Sequence, residues 1–167
     1  MTKQTMVKMV LDAWDVRVKE ADTVFDQLTD EQLKHEVAPN RNRGIYLLGH
    51  LTAVNDRMLP LLGLGERLNP SLDETFIGNP DKSKPQTVSA SELRQTWKKV
   101  NLTLAEYFSR LKPEEWFQKH NSVSEEDFQK EPHRNRLNIV LSRTSHLAYH
   151  VGQLTLLKTK KPMAVLN

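Results

Sequence analysis

Apolar residues recur at helical spacing in four separate stretches of this chain. Val7, Leu11, Trp14, Val18, Ala21, Phe25 and Leu28 alternate steps of four and three, which keeps one apolar stripe along one face of a helix. A second stripe, Leu47, Leu51, Val54, Met58 and Leu61, predicts a helix from the turn at residues 40–44 to about Leu62, with Asn42 as its N-cap. Pro60 lies too deep for a helix start and predicts a distorted last turn. The third stripe is Leu93, Trp97, Val100, Leu104, Phe108 and Leu111, opened by the capping box Ser89-Ala90-Ser91-Glu92 and closed by Pro113. The fourth joins Leu137, Val140, Thr144, Leu147, Val151 and Leu154 in a helix expected over about 135–159.

Four amphipathic stripes predict an all-α protein, an antiparallel four-helix bundle with long connections after its second and third helices. Thr29-Asp30-Glu31-Gln32 has the form of a capping box and predicts a short helical turn before Pro39. Residues 63–88 carry Pro70, Gly78, Pro80 and Pro85 without a sustained period and read as a long loop, either a disordered crossover or a functional segment. Phe76 and Ile77 are its candidate anchors. Residues 113–134 form the other long connection, with Trp116, Phe117, Val123 and Phe128 to hold it down.

A length of 167 residues with 38% hydrophobic content suits one domain, 1–167. The 24 basic and 21 acidic residues are interspersed, so the net charge of +3 forms no stripe and argues against nucleic acid despite a pI near 9.1. There is no cysteine, which excludes disulfides, thiolate metal sites and a cysteine nucleophile, and any thiol chemistry needs a small-molecule thiol. No apolar run reaches the roughly 20 residues that span a bilayer, and no signal-peptide core is visible, so no membrane and a cytoplasmic location are expected.

Beside the fourth seam lies a half-polar row, Ile139, Arg143, His146, His150, Gln153 and Leu157. His146 and His150 are four residues apart, so their rings leave one helix face about a turn apart and can share a metal ion. His50 shares the apolar flank of the second helix; if the two helices pack with these faces together, three imidazoles converge and leave coordination positions open, as in catalytic sites. A hydrogen-bonded pair of core histidines gives the same spacing. Gln153 shares the face of His150 and can orient an imidazole or a bound water. Arg57 and Arg143 lie in phase with His50 and His146 and can meet an anionic substrate, or form salt bridges on the bundle rim.

No carboxylate is fixed in phase with the histidine pair, and Asp56 faces elsewhere, so no general base is named. His35, His120 and His133 sit in polar surroundings and are expected at the solvated surface. Gly152 is expected to permit close helix contact, and Lys158, Lys160 and Lys161 suit the negative end of the fourth helix dipole.

With Leu47-Leu48-Gly49-His50-Leu51 in the second helix and His146-Leu147-Ala148-Tyr149-His150-Val151-Gly152-Gln153-Leu154 in the last, the chain resembles the DinB-like superfamily of four-helix bundles and the bacterial thiol-dependent transferases grouped with it. The resemblance implies a divalent metal held by His50, His146 and His150. Imidazole suits several such ions, and zinc, nickel or iron is expected. It also implies chemistry on a small electrophile by a thiol such as bacillithiol or mycothiol, or by water, with thiol transfer preferred over hydrolysis. The competing expectation is a non-catalytic, stress-associated metal-binding protein. A homodimer is expected from the resemblance and from Val10 and Val24, which lie outside the first seam.

Overall fold

The computed structural model describes residues 1–158. The four stripes form four long helices, α1 (Lys3–Gln27), α3 (Gly44–Asp56), α6 (Ala90–Arg110) and α8 (Arg136–Thr155). Shorter helices occupy the connections: α2 (Asp30–Leu33), α4 (Met58–Leu61), α5 (Leu72–Phe76) and α7 (Glu125–Lys130). The described residues contain no strand, only isolated bridges between Glu36 and Arg43 and between Lys119 and Asn135. The expected end of the last helix at Thr159, with Lys160 and Lys161, lies outside the described residues.

Local chemistry accounts for most helix ends. Thr29 and Ser89 make reciprocal capping boxes with Gln32 and Glu92, and Asn135 caps α8 by accepting the Asn138 N–H. The second long helix departs from expectation at both ends. Its N-cap is Arg43, not Asn42, and no side chain bonds there; instead Asp81, far along the chain, accepts the Arg43 backbone N–H at 2.7 Å and grips its guanidinium. The helix also stops at Asp56, because Pro60 has no N–H to offer the Asp56 carbonyl, and the chain resumes as α4.

Contacts between helix ends set the directions. Arg94, early in α6, donates to the carbonyls of Phe25 and Leu28 at the end of α1, so α1 and α6 are antiparallel. Lys158 donates to Gln27, which puts the ends of α8 and α1 together and makes that pair parallel. Asn55 and Asn101 are hydrogen bonded at 2.9 Å, and Ile45 and Ala90, at the starts of α3 and α6, line one cavity, so these two helices also run parallel. The chain therefore leaves α3 at one end of the bundle and must enter α6 at the other. Residues 57–89 make that return and are packed along it: Phe76 and Leu72 are buried, and α5 lies against α3.

The crossover closes the last open side of α3. Helices α6 and α8, together with α2 and α5, surround it, and of its 13 residues only His50 is not buried. Val24, which seemed to lie outside the first seam, is buried in the core of the chain itself, and Val10 packs against that core. Val24 is therefore taken up within the chain, while Val10 stays partly exposed. In the other long connection Trp116 is buried edge-on to Phe108 at 5.0 Å, and Val123 is buried with it.

Candidate metal centre

His50 is placed by the crossover. Gly49 has no side chain, and a Cβ there would lie 2.4 Å from Phe76 Cδ1 and Cε1; the bare backbone is what lets the Phe76 ring rest on α3. In that position the Phe76 carbonyl accepts a hydrogen bond from His50 Nδ1 at 2.8 Å. Tyr46, one turn earlier, lies parallel to the imidazole with centroids 6.2 Å apart, and its hydroxyl donates to the Asn79 carbonyl at 2.8 Å. The start of α5 is tied down by charge. Arg67 and Arg57 both bind Asp73, while the buried Asp56 accepts from Arg67 and from the backbone N–H groups of Leu68 and Asn69.

From α8, His146 and His150 project toward His50. The Nε2 atoms of His146 and His50 are 3.3 Å apart, and those of His146 and His150 are 3.1 Å apart. The three ligand atoms all lie within 4.8 Å of one another. A tetrahedral ion with metal–nitrogen bonds of about 2.0–2.1 Å spaces its ligand atoms by roughly 3.3 Å, so the group needs little adjustment to hold one.

Hydrogen bonding fixes which nitrogen is offered. A carbonyl only accepts, so His50 Nδ1 carries the hydrogen that Phe76 receives, and the Nε2 of the neutral ring keeps its lone pair. His150 Nδ1 bonds Gln153 Oε1 at 2.7 Å with the same consequence. Two lone pairs therefore face His146 Nε2. A proton on His146 relieves one of these close approaches; a cation between the rings relieves both.

The surroundings keep the rings neutral, which is the ligating form. Burial pushes the His146 pKa down to about 4, helped by His150, His50 and Arg143. Burial likewise lowers His50 and His150, against the opposing pull of the Phe76 carbonyl on the first and Gln153 on the second. Arg143 is half-buried, and its own pKa is lowered by burial and then by Arg57.

Each proposed site residue has a definite place. Gln153 orients the His150 ring. Arg57 is committed to Asp73, and Arg143 stands near the histidines with its buried Nε unbonded. Asp56 faces away from the histidines, as its phase implied, and there it binds the crossover. His35 and His133 are exposed, but His120 is only 8% exposed, its Nδ1 accepting from the Ser122 N–H inside a folded turn; a polar sequence neighbourhood did not mean a solvated ring. Gly152 meets nothing within 4 Å, so it permits no close helix contact.

Sequence reading missed the Phe76 carbonyl, which no side-chain pattern signals, and the wall of a cavity of ≈ 240 Å³ beside the centre. Val37, Asn40, Arg41, Asn42, Tyr149, His150 and Gln153 line it. Tyr149 is 64% exposed, and its ring meets His150 edge-on at 5.1 Å.

A helical bundle with three convergent histidines, one from its second long helix and two from its last, defines the class of protein. The model of the DinB superfamily matches residues 13–154, and the chain belongs to that superfamily. Among solved structures it is similar to a conserved protein from Enterococcus faecalis, with a TM-score of 0.62 and 16% identity over 90% of this chain and 94% of that one, a likeness of fold alone. No curated protein matches the chain at a significant level.

Proposed function

We propose that this protein is a metal-dependent enzyme that joins a low-molecular-weight thiol to a small electrophile, with hydrolysis as the related alternative. The observation that carries the reading is the convergence of three Nε2 atoms, with the tautomers of His50 and His150 set by Phe76 and Gln153. A divalent ion, when bound, supplies Lewis acidity and lowers the pKa of a thiol or water that shares its coordination. The chain's own residues orient the ligands, exclude water on the α5 side, and leave the cavity under Tyr149 and Arg41 as the approach for substrate. With no cysteine in the sequence, the thiol arrives as a co-substrate, which suits a reducing, cytoplasmic setting.

The test is steady-state turnover of a fluorogenic alkylating electrophile with bacillithiol or mycothiol, in metal-loaded and chelated protein. Metal- and thiol-dependent turnover is expected. A second reading is favoured by one observation, that among the described residues no carboxylate joins the three histidines: a non-catalytic metal-binding protein. It predicts stoichiometric metal with no turnover of any electrophile.

A further inference from the structure

We propose that Arg143 forms an anion subsite beside the histidine centre and holds the carboxylate or phosphate group of a small-molecule substrate; this rests on the reading of that centre as a metal-dependent reaction site. The argument is one of charge balance. Arg57 and Arg67 are answered by Asp73 and Asp56, and the half-buried Arg43 and Arg94 are answered by Asp81 and Asp30. Arg143 and Arg136 differ: among the described residues neither has an ion-pair partner or a side-chain hydrogen-bond acceptor, and the Nε of each is closed to solvent and unbonded, but of the two only Arg143 lies within a turn of the histidine pair.

A cation withdrawn from water without a partner is costly, and a structural arginine normally brings its carboxylate with it. Arg143 lies on the face of α8 that carries His146 and His150, one turn before the first, and its charge acts on both His50 and His146. The three ligands are neutral, so a divalent ion adds two further positive charges, and among the described residues no carboxylate joins the ligand group to balance them. Such a site selects a ligand with negative charge, and the terminal guanidinium nitrogens offer the paired donors that a carboxylate or phosphate accepts. Along α8 Arg143 precedes the histidine pair and Gln153 follows it, so a molecule anchored at Arg143 extends over the metal position toward the Tyr149 cavity.

The test is visible absorption of the cobalt(II)-loaded protein, titrated with acetate or methyl phosphate at an ionic strength held constant with perchlorate. Saturable change is expected with at least one anion, and which one binds tighter identifies the group. Arg143→Gln is expected to load cobalt but to weaken that anion by about tenfold or more, the loss of a charged hydrogen bond, and Arg143→Lys should fall between because it keeps the charge but not the fork. Equal dissociation constants in wild type and R143Q, or no saturable response in wild type, overturn the proposal. If R143Q does not fold, R143K decides: a weakened constant supports the subsite and a wild-type constant overturns it. A wild-type protein that takes up no cobalt overturns the metal reading itself, and the subsite with it.

Discussion

Replacing Gly49 with alanine tests whether the crossover positions the metal centre. The new methyl carbon would lie 2.4 Å from two Phe76 ring atoms and 2.6 Å from a third, well inside van der Waals contact, and the ring is buried, so it must shift to admit the carbon. Overpacking of this kind costs about 1–3 kcal/mol, while the gain in helix propensity from glycine to alanine returns about 1 kcal/mol. Net destabilisation of up to about 2 kcal/mol follows. The ring carries its backbone with it, so the Phe76 carbonyl is drawn away from His50 Nδ1. Loss of such a hydrogen bond behind a metal-ligating histidine weakens metal binding by about 10- to 100-fold.

The assay is competition for zinc against a chromogenic chelator, paired with urea denaturation of the chelated protein. Gly152→Ala is the internal control, since nothing lies within 4 Å of its added carbon: it should gain up to about 1 kcal/mol and leave zinc affinity unchanged. If Gly49→Ala matches Gly152→Ala in both measurements, the crossover does not hold His50 and the reasoning is wrong.

Leucine in place of His50, His146 or His150 should abolish stoichiometric metal, read by elemental analysis of protein purified without a polyhistidine tag. Stability should fall only relative to the metal-bound wild type, and a loss that is the same in chelator would mark them as core histidines instead. In chelated protein the unfolded chain takes up protons below about pH 6.5 while folded His146 resists until about 4. Folding stability should therefore decline as pH falls through that window, and the ion-paired Asp73 and Asp81, whose pKa values, despite burial, are lowered by their arginines, carry the decline on below it; urea midpoints that do not change across the window refute the burial of neutral rings. Asp56→Ala leaves Arg67 with Asp73 alone and strands the backbone N–H groups of Leu68 and Asn69, at about 1–3 kcal/mol for each stranded group, with protease cleavage in residues 63–88 as its signature. Undiminished protease resistance would mean that Asp56 does not anchor the crossover.

Much of this protein follows from local pattern. A stripe at helical spacing can be buried in only one way, so Trp97, Val100 and Leu104 or Val140, Leu147 and Leu154 announce both the helix and its inward face. Capping boxes at Thr29 and Ser89 are equally local, and the spacing of His146 and His150 alone places two imidazoles together. What the pattern does not hold is direction and enclosure. Neither stripe says that α3 and α6 run parallel, and only that arrangement forces residues 57–89 back along the bundle. The return path then decides the rest: it seats Phe76 on Gly49, gives His50 Nδ1 a backbone carbonyl, spends Arg57 and Arg67 on Asp73 and Asp56, buries α3 on every side but one, and leaves Arg143 unpaired. These are contacts between residues distant in the chain, and a one-dimensional period carries no information about which distant groups will meet.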